Sequence, residues 1–252
     1  MLRSLLFLLF LPLAGTAQTK LSVAAAANFV YVLEPLHAEF KRTAPDIELT
    51  VNTGASGSLV AQITHGAPFD VFLSADTEYP LELIKAGGAE EKSFTRFTVG
   101  RLVLWTTRAD FDLTSIPEAI YNPKLLRLAV ANPRTAPYGR AALEALRKLG
   151  LAPRAEPKLV FAENITQTAQ FVETGNADAG FVALSLVRSL RLANQGRWIE
   201  VPASLYPPLE HAGVITRHGA DNPAAARYLA FLLSPAAQAI LEQHGYKSPG
   251  KN

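Results

Sequence analysis

The sequence predicts an α/β protein of two lobes joined by crossing strands. Three observations predict it. Short β-rich runs alternate with helical patterns over nearly the whole chain. No Pro/Gly/polar seam divides the chain, as it would if two domains were joined once. Four strand-to-helix junctions carry small or amide residues in place of bulky ones.

The β-rich runs are residues 21–25, 47–52, 71–74, 98–106, 128–131, 158–161, 179–183, 198–201 and 212–216, and the alternation with helices implies mostly parallel sheets. Between them, Phe29, Leu33, Leu36 and Phe40 repeat at helical spacing over 29–42, and the helix must stop before Pro45. Residues 56–65, 81–86, 138–149, 165–174, 184–193, 223–233 and 236–244 read as helices in the same way. The apolar run 98–106, which includes Trp105, and the strand 212–216 are the expected crossings. They place 18–97 with 217–252 in one lobe and 98–216 in the other.

The N-terminus has the order of a secretory signal peptide: a basic Arg3, an apolar run over 5–13, then Ala14-Gly15-Thr16-Ala17. The run is too short to span a bilayer, and no later segment approaches the roughly 20 apolar residues that a spanning helix needs. Cleavage near Ala17 would leave about 235 residues, enough for two lobes with real cores, released into the periplasm. The absence of cysteine excludes disulfides, thiolate zinc sites, thiol catalysis and a lipid-modified cysteine. With 24 Lys and Arg against 22 Asp and Glu, spread without clusters, nucleic acid is not an expected partner.

The four junctions are Ala26-Ala27-Asn28, Gly54-Ala55-Ser56-Gly57-Ser58, Ala136-Pro137-Tyr138-Gly139 and Glu163-Asn164-Ile165-Thr166. Each opens a helix. A first turn leaves backbone N–H groups without intrahelical partners and carries the positive end of the helix dipole, so it can hold an oxyanion without Lys or Arg. Taken singly, these residues are also ordinary caps and turns.

At these junctions the chain resembles the periplasmic molybdate-binding proteins of ABC importers, the ModA family. The matching words are Val23-Ala24-Ala25-Ala26-Ala27-Asn28-Phe29, Gly54-Ala55-Ser56-Gly57, the stretch from Gly66-Ala67-Pro68-Phe69-Asp70 to Ser74-Ala75-Asp76, Gly100-Arg101-Leu102-Val103-Leu104-Trp105, Ala131-Asn132-Pro133 with Ala136-Pro137-Tyr138-Gly139, and Gly175-Asn176-Ala177-Asp178-Ala179-Gly180-Phe181-Val182. The resemblance implies a type II periplasmic-binding fold that closes on a dehydrated oxyanion, molybdate or tungstate, held by neutral donors. By position it implies Asn28 and Ser56 from one lobe, with Ala27 beside them, and Tyr138 and Ile165 from the other, Ile165 acting through its backbone N–H. Other implications are a monomer that hands its ligand to an importer permease, with no cofactor and no metal cation bound directly. Two positions depart from the family. Many members have a hydroxyl residue at Ala27 or Asn28, and some have a tyrosine at Ala183; either Tyr138 supplies that hydroxyl or the site has fewer donors. Asp70, Asp76 and Asp178 read as structural, since they would repel an anion.

Other chemistries find less support. Gly54-Ala55-Ser56-Gly57-Ser58 is not the G-x-S-x-G elbow of a secreted hydrolase, because its last two residues are transposed. No Gly-Lys-Ser/Thr follows the glycines, and the five histidines are scattered. A binder of sulfate, phosphate or a metal complex on the same scaffold is the alternative. Arg140, two residues after Tyr138, is the one cation placed to clamp an oxyanion in bidentate fashion.

Overall fold

The computed structural model describes residues 18–250, so the expected signal peptide at 1–17 lies outside the described residues. The strands are β1 (Thr19–Ala26), β2 (Ile47–Gly54), β3 (Val71–Ser74), β4 (Thr95–Gly100), β5 (Leu102–Thr106), β6 (Leu128–Ala131), β7 (Leu159–Ala162), β8 (Ala179–Ala183), β9 (Arg197–Glu200) and β10 (Leu209–Ile215). The helices are α1 (Leu33–Thr43), α2 (Ser56–Thr64), α3 (Glu78–Lys85), α4 (Ile116–Tyr121), α5 (Pro137–Lys148), α6 (Ala152–Ala155), α7 (Ile165–Glu173), α8 (Leu184–Val187), α9 (Pro223–Leu232) and α10 (Pro235–Gln243).

Two five-stranded sheets result, in the orders β2-β1-β3-β10-β4 and β7-β6-β8-β5-β9. In each, four strands run in one direction, as expected of mostly parallel sheets, and one runs against them, β10 in the first sheet and β5 in the second, so both sheets are mixed. The cause is topological: a strand arriving from the other sheet has no crossover helix to turn it parallel. Helices cover both faces. The second half of β1 is therefore buried throughout and reads as Val-Ala-Ala-Ala instead of an alternating pattern.

The run expected as one strand over 98–106 is two. β4 pairs with β10 in the first sheet, β5 pairs with β8 and β9 in the second, and Arg101 is the step between them. Phe97 and Leu102 are buried on either side of the step, one in each sheet. Of residues 212–216, expected as the second crossing, all but Thr216 belong to β10, which is paired on both sides within the first sheet. The chain returns between Glu200 and Leu209 instead. Arg101 forms an ion pair with Glu200, tying the two crossings together. Trp105 is fully buried within the second sheet, with its indole N–H on the Gln195 carbonyl at 2.8 Å.

The helical run expected over 29–42 is a 3-10 turn at Ala27–Phe29 followed by α1, which stops two residues before Pro45. Helix α8 ends far short of the expected 193. The Ser189 hydroxyl takes the Leu186 carbonyl at 2.6 Å, a local bond that competes with helix continuation. Helices α4 and α6 are short, open with proline near their first position, and were not expected.

Candidate functional site

The four junctions converge on one buried cavity between the two sheets. It is lined by Ala27, Asn28, Ser56, Tyr138 and Ile165, with Gly54, Ala75 and Asn164 among their neighbours. The five named residues are all between 1% and 4% exposed. The space between them is small and suits one compact group. No side chain lining it is cationic or carboxylate. Wider depressions beside Arg217 and beside Leu190 lie open on the surface, and neither gathers helix starts from both sheets.

Each junction presents donors for an identifiable local reason. At α7, the Asn164 side chain caps Thr166 N and Gln167 N, both at 3.0 Å, which leaves the Ile165 N–H for another partner. At α5, Pro137 has no N–H to offer and Tyr138 N–H is the first donor of the helix. At α2, Ala55 provides no side-chain cap. The Ser56 hydroxyl accepts from Ala75 N at 3.1 Å, so its own proton is free to be donated elsewhere. Removing it should therefore weaken anion binding by roughly 1.5–3 kcal/mol, the usual worth of a hydrogen bond to a charged group. The check is the ratio of dissociation constants for Ser56→Ala and the wild type.

Asn28 presents a backbone group, because its amide is engaged behind the cavity. His211 Nδ1 meets the Leu209 carbonyl at 2.9 Å and so carries the ring proton, leaving Nε2 as an acceptor. The Asn28 Nδ2 group donates to that Nε2 and to the Tyr246 hydroxyl, both at 2.9 Å. Tyr246 in turn donates to the Asn28 carbonyl, which also accepts from Ser185. Asn28 thus offers an anion its main-chain N–H and not its side-chain amide. His211 is packed among Phe29, Phe97, Tyr138 and Tyr246, and burial pushes its pKa down to about 3, so it is neutral.

The Tyr138 hydroxyl lies over Gly100, at the end of β4, and beside the His211 ring; a Cβ at position 100 would collide with both. It is buried and has no hydrogen-bond partner among the described residues, and burial raises its pKa far above the ordinary phenol value. Tyr138→Phe should consequently leave anion affinity within about threefold of the wild type, since the donor at this position is the main-chain N–H. Titration of that variant beside Ser56→Ala checks it.

Arg140 does not enter the cavity. Its guanidinium pairs with Asp76 and Glu78 and lies 5.2 Å from the Tyr79 ring centroid. Asp70 accepts from Ser22 N at 2.7 Å, and Asp178 from Leu126 N and Arg127 N at 2.8 Å, the structural roles expected of both. His211, Tyr246 and Ser185 were not singled out in the sequence. The one local signal was a histidine directly before the apolar stretch Ala212-Gly213-Val214-Ile215 of β10.

Two lobes, each supplying helix starts to a neutral cavity between them, define a binding protein that encloses a small solute. The model for bacterial extracellular solute-binding proteins matches residues 21–247. The chain is 39% identical over 236 residues, covering 93% of it and 92% of the relative, to the molybdate-binding protein ModA of Azotobacter vinelandii. It is 40% identical to ModA of Rhodobacter capsulatus, covering 88% and 86% of the two chains. The solved periplasmic molybdate-binding protein of Azotobacter vinelandii superimposes with a TM-score of 0.85 at 31% identity, covering 91% of this chain and all of that one. The chain belongs to the bacterial extracellular solute-binding proteins, and within them to the ModA family.

Proposed function

We propose that this protein captures molybdate, and with it tungstate, in the periplasm and delivers it to the permease of an ABC importer, as a monomer and without catalysis. The observation that carries the reading is the cavity: buried, free of charged side chains, and supplied with N–H donors by Asn28, Ser56, Tyr138 and Ile165 from both sheets. Helix dipoles and fixed N–H groups stabilise an anion without a counter-ion, and burial strengthens them. Ala27 completes the wall. The names of the two relatives near 40% identity support the choice of ion.

Binding would proceed by closure of the two lobes. Strand pairing supports dividing them at Arg101 and within 201–208, which shifts the expected limits of 98 and 216 so that β4 and β10 stay with the first lobe. Trp105 is a poor reporter of that motion, being buried inside one sheet. Small-angle scattering is the better one.

Fixed donors select by size, because a smaller ion leaves some of them desolvated and unpaired. Sulfate should bind at least ~100-fold more weakly than molybdate, about 2.7 kcal/mol. Calorimetric titration with molybdate, tungstate, sulfate and phosphate tests this, and equal affinities for sulfate and molybdate would transfer the assignment to another oxyanion.

A further inference from the structure

We propose that Asp76, Tyr79 and Arg140 form a latch outside the cavity that sets how tightly the ligand is held by stabilising the closed jaw; this rests on the oxyanion-binding reading above. Asp76 follows β3 in the first lobe and is 7% exposed. Its Oδ1 accepts from the Ser74 hydroxyl at 2.8 Å and from Tyr79 N at 3.2 Å, so the carboxylate is oriented by its own lobe. Its Oδ2 accepts from Arg140, in the first turns of α5 in the other lobe.

Every side-chain partner of Arg140 lies across the cleft. Its Nη1 donates to the Tyr79 hydroxyl at 3.3 Å, its Nη2 reaches Glu78 Oε2 at 3.2 Å, and its Cζ lies over the Tyr79 ring. Tyr79 closes the seam by donating to the Arg134 carbonyl, again in the other lobe, at 3.0 Å. Opening the jaw therefore breaks all of these contacts at once and leaves the Arg140 guanidinium with water. Asp76 would keep its intralobe donors but lose its counter-ion. No atom of the three side chains lines the anion cavity.

Because the latch touches no ligand atom, it should act equally on every oxyanion. A half-buried charged pair lies between exposed pairs and fully buried ones in worth, which corresponds to about a tenfold change in affinity. A ligand trapped by closure escapes by opening, so the loss belongs in the dissociation rate.

The test is titration and stopped-flow release of molybdate and tungstate with the wild type, Asp76→Asn, Arg140→Gln, Arg140→Lys and the Asp76→Asn/Arg140→Gln double variant, at low and high sodium chloride. About tenfold weaker binding of both ions with Arg140→Gln is expected, with their ratio unchanged and release faster. Arg140→Lys should recover part of the loss, and the double variant should be no weaker than the single ones. Wild-type affinity should fall with salt more steeply than that of Arg140→Gln. Tight wild-type binding with an unchanged Arg140→Gln, or a loss confined to one of the two ions, would overturn the latch alone. Failure of the wild type to bind any of the oxyanions would overturn the binding reading and the latch with it.

Discussion

Replacing Gly57 by Val should lower anion affinity by about 3–6 kcal/mol while leaving the lobes folded, at roughly 1.5–3 kcal/mol for each of two lost charge-assisted bonds. Gly57 follows Ser56 in α2, and its N–H donates across the cleft to the Thr135 carbonyl at 2.9 Å. A Cβ built there would sit 2.5 Å from the Tyr79 hydroxyl and 3.1 Å from Thr135 Cα. The Tyr79 ring could turn away only by giving up its bond to Arg134, and the Thr135 contact is backbone in the opposite lobe. A branched side chain at 57 therefore props the jaw open. The anion would then keep the donors of Ser56 and Asn28 but lose the N–H groups of Tyr138 and Ile165. Gly57→Ala, one methyl, should fall between the wild type and Gly57→Val. Calorimetric affinities, scattering radii at saturating molybdate and melting temperatures of the three proteins check this. A Gly57→Val protein that binds as tightly as the wild type and contracts as much would show that closure does not bring these surfaces together.

Acid should destabilise the protein through His211, by up to about 4–5 kcal/mol. In the unfolded chain an imidazole takes up its proton near pH 6.5, whereas burial among uncharged rings lowers the folded value to about 3. Between those limits the unfolded state binds one proton more. Stability thus falls by about 1.4 kcal/mol per unit as pH drops from 6.5 towards 3, and this contribution is constant above 6.5. Protonation would also turn Nε2 into a donor facing the Asn28 Nδ2 group, breaking the bond that orients Asn28. Asp178 loses stability over the acid range too. Burial raises its pKa, but the Arg127 and Leu126 N–H groups and Arg108 outweigh it and hold the carboxyl below the ordinary range. Urea unfolding of the wild type and His211→Gln from pH 7 to about 4 separates the two. A glutamine at this position cannot titrate, so the variant should start less stable and lose less on acidification. Parallel curves would mean that His211 is already solvated in the folded protein.

The α/β class, most of the strands, the two-lobed organisation and the four junctions were legible in the residues alone. Those features are local. A buried strand such as β6 declares itself by four apolar residues, and a helix start by Asn164 or Pro137 at its first positions. The resemblance then grouped Ala27, Asn28, Ser56, Tyr138 and Ile165, and the fold brought those five to one cavity.

Where segments distant along the chain meet was settled only by packing in three dimensions. The step at Arg101 was invisible because a single residue separates β4 from β5, and no pattern along the chain reports that they pair in different sheets. The side-chain roles around the cavity were equally hidden. Tyr138 was open to reading as a hydroxyl donor, yet its hydroxyl rests over Gly100, 38 positions earlier in the chain. Arg140 was placed to clamp an anion, yet it finds Asp76 across the cleft. His211 was one of five scattered histidines until β10 carried it behind Asn28. Spacing along a chain reports which face of its own helix or strand a residue occupies; which partner satisfies its charge or hydrogen bonds is settled by packing between elements, and packing depends on the whole fold.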